Sequence, residues 1–454
     1  MFRSKLTVSY SMAVFLVSIL SFQSQSIGDT VKDVHIDSKT RAAIVDDIGE
    51  LLMEKYIFLD VAERIKEHIS TRLKNGDYDS IDDPARFAMV LVEDLYQISE
   101  DRHFYLEFNP ERAELIRAQR SRSKEEKAAA EKQYCEDDRL KNFGFKKLEH
   151  LKGNIGYLDI RFFSNAVYGG ETAVAAMNFL ANMDAVIIDL RDTPGGYPNM
   201  VQLLCSYFIR GTREGRTHLN TFERRFDDSM EQFWTISYVP GQRMYDMDLY
   251  LLTSKYTGSG AEEFVYNMKN LQRATLIGET TGGAAHHVED VVIQDSFVMH
   301  LPSGRPINPI SGSNWEKTGV QPHIAVEAEK AYDKAYLIAL EQLLKKVEAE
   351  EQLFQINWAM DGLKAKLNPI EIDEKTLGRY VGSYGERRVW LDNGELIYQR
   401  TGPQHRLIAL RENLFGLEGL DRFRIEFILD KRGQAKELIG LYDNGMKDSS
   451  ERTK

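Results

Sequence analysis

A serine stands where a strand gives way to a helix. In KYTGSGAEEF, residues 255–264, Ser259 follows the apolar run LYLLTS and precedes the helical-looking VYNMKN. Two chemistries fit that placement. Ser259 and Glu262 have the S-x-x-E spacing of a capping box, in which a hydroxyl and a carboxylate satisfy orphan amides of the first helical turn. A serine at a helix N-terminus between glycines, here Gly258 and Gly260, is also an exposed nucleophile whose neighbouring amides can hold a developing oxyanion. That second chemistry requires a base and an orienting partner from elsewhere in the chain.

Three other segments offer those parts. DLRDTPGG, residues 189–196, is a strand end running into a loop where Gly195 and Gly196, lacking side chains, let a backbone amide approach a substrate closely. EDRHF offers His103, and NWEKTGVQPHIAV offers Glu316 just before a turn-rich Gly-Val-Gln-Pro. Taken singly each is weak, because a lone histidine or glutamate is more often a structural or surface residue. Their order and context carry the weight. His286 and His287, in TTGGAAHH, raise a metal reading, but adjacent histidines point in different directions and no third ligand is spaced nearby. No metal and no cofactor is expected.

The 454-residue chain can bury a large core and divide into two or three domains. Its 43% hydrophobic and 28% charged residues are ordinary for a soluble globular protein, and a net charge of −12 argues against a nucleic-acid surface. The start is different. MFRSK supplies positive charge, LTVSYSMAVFLVSILSF an apolar stretch and QSQSIGDT small polar residues, the order of a secretory signal cleaved near Ser26, with an uncleaved anchor as the alternative. An exported protein, periplasmic or extracellular, is expected, touching membrane only through this segment. Cys135 and Cys205 lie far apart in unlike segments, and both a disulfide and two free thiols are compatible with that.

The elements that must position the chemistry follow from periodicity. Ile44, Ile48, Leu51 and Leu52 share one helical face, as do Ile65, Ile69 and Leu73 before an Asn-Gly stop. A third helix opens with Asp83 as cap and Pro84 at its first position, and delivers EDRHF at its end. These define a helical bundle over 27–110, after a signal at 1–26. Residues 111–144 read as a charged helical connector. From 145 to 350 the pattern is α/β: NIGYLDI, AVIIDL, LYLLTS and ATLIGE are near-continuous apolar strands of a sheet covered on both faces, and their loops carry the unusual chemistry. Residues 366–454 alternate in short turn-punctuated segments, an all-β meander or small barrel with an accessory or purely stabilising role.

Taken together, the helical lead ending in DRHF, GNIGYLDIRFF, DAVIIDLRDTPGG, LLTSKYTGSGAEEFVYNMKN, LIGETTGGAAHH and GVQPHIAV resemble the tail-specific, or C-terminal processing, serine peptidases. Within them the resemblance is to the branch typified by interphotoreceptor retinoid-binding protein and the tricorn protease core. It covers about residues 38 to 345. It implies a crotonase-like α/β core of ββα units with N-terminal helices over the site. By position Ser259 matches the nucleophile, His103 the base, Glu316 the supporting carboxylate, and Gly260 with Gly195 or Gly196 the oxyanion hole. The implied reaction is hydrolysis of peptides or unfolded protein ends through an acyl-enzyme.

There are departures from the family pattern. The lysine of the Ser-Lys branch is missing from TTGGAAHH, which favours His103 as base, and no peptide-binding PDZ module precedes GNIGYLDI. Arg102 stands where the tricorn-like site has a serine, so the link from His103 to Glu316 can be direct, water-mediated or absent. Glu279 is the second choice of carboxylate. The competing function is a binding protein that kept the fold and lost catalysis, as the retinoid-binding namesake carries apolar ligands; the set of Ser259, His103, Glu316 and the glycines favours the enzyme. The oligomeric state is not legible. If the N-terminal signal is cleaved, N-terminal sequencing of the exported protein returns a chain beginning near Ile27; Met1 or Phe2 as first residue would overturn that expectation.

Overall fold

The computed structural model describes residues 34–211 and 215–453; the proposed signal segment lies outside them. Three helices come first, α1 (Ser38–Lys55), α2 (Leu59–Lys74) and α3 (Pro84–Ser99). The Asp83 carboxylate accepts from the Arg86 amide and Pro84 occupies the first turn of α3, as the sequence pattern requires. Strand β1 (Tyr105–Phe108) follows His103 directly. The charged segment forms two exposed helices, α4 (Pro110–Ser121) and α5 (Lys124–Leu140), the second closed by a capping box between Ser123 and Glu126.

The next elements alternate: β2 (Phe145–Leu151), β3 (Ile155–Ile160), α6 (Ala166–Leu180), β4 (Ala185–Asp189) and α7 (Pro198–Phe208). Then come β5 (His218–Arg224), β6 (Ser229–Trp234), β7 (Asp248–Thr253), α8 (Ser259–Asn270), β8 (Thr275–Gly278), β9 (His287–Ile293), β10 (Phe297–Ile307) and β11 (Ile324–Ala325). Helices α9 (Ala328–Leu344) and α10 (Glu350–Leu367) end this region.

A six-stranded sheet runs in the order β11-β8-β7-β4-β3-β2, parallel except for the antiparallel edge strand β2. Successive side chains of a strand point to opposite faces, and here both faces are buried. Leu158, Ile188, Leu251 and Leu276 pack with α6, α7 and α8, whereas Tyr157, Ile187, Leu252 and Ile277 pack with α9 and α10. That double burial produces the near-continuous apolar runs of the sequence.

A second, antiparallel sheet, unread in the sequence, is organised by the long β10, which pairs with β1, β9 and β5; β6 lies outside β5. The N-terminal helices do not form a self-contained bundle. Their core includes Ile293, Phe297, Met299 and Leu301 of this sheet. Among the described residues no helix is long and apolar enough to cross a membrane.

At the C-terminal end eight strands, from Gly382–Tyr384 to Lys447–Glu451, pair sequentially and antiparallel. A bridge between Tyr384 and Arg452 brings the first strand against the end of the last, so the sheet nearly closes into a barrel. Helix α10 escaped the sequence reading because it is buried from two sides and shows no single apolar stripe. Ile356, Met360 and Leu363 enter the core beneath α9, while Trp358 Nε1 donates to the Asp421 carbonyl of the barrel, 2.9 Å away.

This places α10 with the sheet it covers as much as with the barrel. A chain ending after Val347 loses the burial of Ile356, Met360 and Leu363, on the order of 5 kcal/mol, whereas one ending after Leu367 keeps it. Thermal melting should therefore rank the Leu367 truncation well above the Val347 truncation; equal melting temperatures would show that α10 does not stabilise the core.

Candidate active site

The parallel order β4-β7-β8 sets three loops side by side at the carboxyl ends of neighbouring strands, where open α/β sheets gather ligands. The middle loop is clipped to the one after β4. Thr257 Oγ1 donates to the Leu190 carbonyl at 2.8 Å, the Gly258 amide donates to the Thr193 carbonyl at 3.0 Å, and Ser254 Oγ donates to the Arg191 carbonyl. Ser259 then opens α8 with φ of +45°, a left-handed conformation that costs a non-glycine residue energy. The residue is exposed although the next residues of α8 are buried.

Only half of the capping box exists. The Ser259 amide donates to Glu262 Oε2 at 3.0 Å, but the N-cap position is Gly258 and the Ser259 hydroxyl caps nothing. Gly195 and Gly196 lie against this turn. A Cβ on Gly195 would stand 2.8 Å from the Ser259 Cβ, and one on Gly260 would stand 2.6 Å from the Gly196 carbonyl oxygen. The φ values of +130° at Gly195 and +137° at Gly196 compound the requirement for glycine. Among the described residues, the amides of Gly195, Gly196 and Gly260 donate to no acceptor.

His103 sits in a second group of side chains. Its Nδ1 is 2.9 Å from Asp101 Oδ1 and 3.4 Å from Glu316 Oε1, while Nε2 has no partner among the described residues. Asp101, 2% exposed, also receives the Tyr56 hydroxyl at 3.1 Å and faces His286 Nδ1 at 3.1 Å. Burial alone would raise the Asp101 pKa, yet the hydrogen bonds and charge of His103 and His286 hold it well below the usual carboxylate range. Burial works against a charged His103, but the Asp101 hydrogen bond and the Glu316 charge outweigh it, so its pKa lies above that of an ordinary imidazole.

The loop after β8 joins the two groups. Buried Glu262 accepts from Thr281 Oγ1 at 2.5 Å and from the Gly283 and Ala284 amides at 2.6 and 2.9 Å. Glu316 Oε2 accepts from the next two amides, Ala285 at 2.9 Å and His286 at 3.2 Å. No hydrogen bond links Ser259 to His103 among the described residues. The Glu262 charge nevertheless contributes to raising the His103 pKa.

The structure thus assembles Ser259 with Gly195, Gly196 and Gly260, and His103 with Glu316. The Glu316 approach is direct, with exposed Arg102 taking no part. Glu279, the alternative carboxylate, accepts instead from the Lys255 amide at 3.2 Å. Sequence reasoning missed Asp101 and the contribution of His286, and of Glu262 it read only the capping of the first helical turn. Asp101 stands two residues from His103, and the D-x-H spacing was the available signal. His286 gave none, because its partners come from chain segments far away in sequence. The argument that His286 lacks nearby ligands is corrected on the same ground: Asp101, His103 and Glu316 all surround it. Cys135 and Cys205 are free thiols.

Residues 154–326 match peptidase family S41, and residues 32–143 match the N-terminal domain of the S41 peptidase in eukaryotic IRBP. The chain is 24% identical over 195 residues to the carboxy-terminal processing protease CtpB of Bacillus subtilis, a match covering 42% of this chain and 38% of that relative's length. Among solved structures, the tricorn protease is 13% identical with a TM-score of 0.41, covering 73% of this chain and 37% of its own. A lipoprotein from Streptococcus agalactiae is also 13% identical, with a TM-score of 0.42, covering 67% of this chain and 97% of its own. The chain thus carries a peptidase family S41 region at residues 154–326, preceded at residues 32–143 by a domain of the kind found N-terminal to it in eukaryotic IRBP.

Proposed function

We propose that the protein is an exported serine peptidase that cleaves peptides or unfolded protein ends. Ser259 is the nucleophile, His103 the general base, and the Gly260 amide with that of Gly195 or Gly196 forms the oxyanion hole. The observation that carries this reading is the exposed Ser259 at φ +45°, its hydroxyl uncommitted and its turn pressed against the glycine loop with free amides. An ordinary cap has no use for that strain.

The chemistry follows from the proton positions. With its Nδ1 proton directed at Asp101, neutral His103 presents the Nε2 lone pair. Nε2 takes the Ser259 proton as Oγ attacks the peptide carbonyl, the glycine amides take up charge on the carbonyl oxygen, and the imidazolium then protonates the departing amine. Water hydrolyses the acyl-enzyme by the same route in reverse. Asp101 is the principal orienting carboxylate, because it is closer to His103 than Glu316 is. Glu316 adds charge and fixes the loop at Ala285 and His286. Bound substrate must bring Ser259 and His103 into register, since catalytic hydrogen bonds often tighten only in the substrate complex.

A fluorophosphonate probe should label the wild type and not Ser259→Ala. Ser259→Ala and His103→Ala should each lower kcat/KM on an unstructured peptide by about 10⁴-fold or more, and the double variant little further. Ser259→Gly should be equally inactive yet more stable by roughly 1 kcal/mol in denaturant titration, because glycine accepts the left-handed turn without penalty. Unchanged cleavage by Ser259→Ala would sink the proposal.

The pH profile tests the orienting role. Only neutral His103 is a base and its pKa is raised, so kcat/KM should climb with pH to a midpoint above 6.5. Asp101→Asn removes the hydrogen-bonded charge and should move that limb to lower pH, further than Glu316→Gln does. The opposite ranking would return the role to Glu316.

A further inference from the structure

The side chains around His103 form a closed ring that hydrogen bonding does not fully explain. Asp101, His103, Glu316 and His286 alternate carboxylate and imidazole. The His103 Nδ1 is 2.9 Å from Asp101 Oδ1 and 3.4 Å from Glu316 Oε1, and the His286 Nδ1 is 3.8 Å from Glu316 Oε2 and 3.1 Å from Asp101 Oδ2. Each neutral imidazole can carry one proton on Nδ1, yet each Nδ1 faces two carboxylates. The two contacts to Glu316 are too long or too loosely made to count as good hydrogen bonds. One ligand atom from each of the four residues lies within 4.8 Å of the other three.

Those separations suit an ion at the centre of the ring. Tetrahedral zinc with bonds of 2.0–2.2 Å has ligand-to-ligand edges of about 3.4 Å; each imidazole already stands 2.9 to 3.8 Å from an oxygen of each carboxylate, so small side-chain rotations bring one oxygen of each into such a set. Charge points the same way. With both carboxylates ionised and both imidazoles neutral, the ring carries two uncompensated negative charges in a largely buried setting, which one divalent cation would neutralise. Two nitrogens with two oxygens select a borderline transition metal over magnesium or calcium. The outer supports of a metal site are also present: the Tyr56 hydroxyl donates to Asp101, and two backbone amides fix Glu316.

We propose that Asp101, His103, His286 and Glu316 bind a divalent transition-metal ion of the zinc class, and that its binding switches the peptidase off. Coordination through Nδ1 obliges neutral His103 to carry its proton on Nε2; the proton leaves Nδ1 and an equivalent one is taken up at Nε2 through solvent. The lone pair that accepts the Ser259 proton is then gone. A cationic His103 instead releases one proton on binding the metal and ends in the same state. The inhibitory half of this inference rests on His103 acting as general base, whereas the binding half does not.

The test uses the full chain, stripped with a chelator, and separates binding from activity. Zinc should bind one ion per chain by elemental analysis after gel filtration. Cobalt(II) in its place should give the intense visible band of a four-coordinate ion, a readout on the wild type that needs no variant. His286→Gln and His103→Gln, checked for folding by thermal melting without metal, should each weaken zinc binding at least roughly tenfold. Zinc should suppress peptide cleavage by the wild type and a chelator should restore it, while His286→Gln, scored against its own zinc-free rate, should need correspondingly more zinc. Absence of stoichiometric binding, binding unaffected by both substitutions, or zinc held without loss of turnover would each overturn the proposal. If the ring binds zinc but the stripped protein cleaves no peptide and escapes the fluorophosphonate probe, the metal site stands and the peptidase reading falls.

Discussion

Glu262 is the interaction on which the candidate site depends. It is buried, and burial raises its pKa, yet its carboxylate collects the Ser259 amide, the Thr281 hydroxyl and the Gly283 and Ala284 amides. A buried carboxylate with four donors is tolerable; one that lost them would be costly. The same carboxylate therefore ties the start of α8 to the loop beyond β8. Through that loop it meets Glu316, whose carboxylate holds the following two amides and approaches His103. Two acidic side chains thus set the spacing between the serine and the histidine without either residue touching the other.

Left-handed backbone recurs at several non-glycine residues, and one of them, Ser259, stands at the candidate site. Ser259 adopts a left-handed backbone, and the loop opposite is built from two glycines whose conformation and clearance exclude a side chain. The hydrogen bonds from Thr257, Gly258 and Ser254 to the loop after β4 hold both sides together. Under the proposed function, the glycine amides are held by this scaffold rather than organised at each turnover, which is the condition under which such donors act strongly on developing charge.

What the sequence disclosed divides along physical lines. Doubly buried strands reveal themselves as apolar runs, and caps such as Asp83 with Pro84 are local, so the parallel sheet and α3 were legible. Ser259, Gly195, Gly196 and Gly260 lie in distinctive local contexts and could be chosen one by one. The antiparallel sheet was not legible: strands such as β9 mix half-buried polar and apolar residues without a clean period, and β10 is long because it serves three neighbours in turn. Helix α10 hid its pattern between two packing partners. His286 acquires meaning only through its contact with Asp101, about 185 residues away, which no local pattern encodes, whereas Asp101 offered the D-x-H spacing to His103. The capping-box spacing was half informative, since it identified a real contact of Glu262 but assigned the serine hydroxyl a bond it does not make.

The origin of His103 has a further consequence. The residue comes from the N-terminal helical region, not from the sheet that carries Ser259, and β1 fixes it through pairing with β10. The α1–α3 core shares Phe297, Met299 and Leu301 with that strand, so apolar packing remote from any reacting atom sets where the imidazole stands. Well-packed cores transmit displacement because they contain few voids to absorb it. A base mounted on one packed unit and a nucleophile on another can be brought into or out of register by small movements between them, whereas a dyad built on a single loop could not. Segment 281–286, pinned by Glu262 at one end and Glu316 at the other, lies between the two. Under the proposed function, a ligand that changes the bonding of Glu316 or His286 therefore acts on the geometry of the whole site.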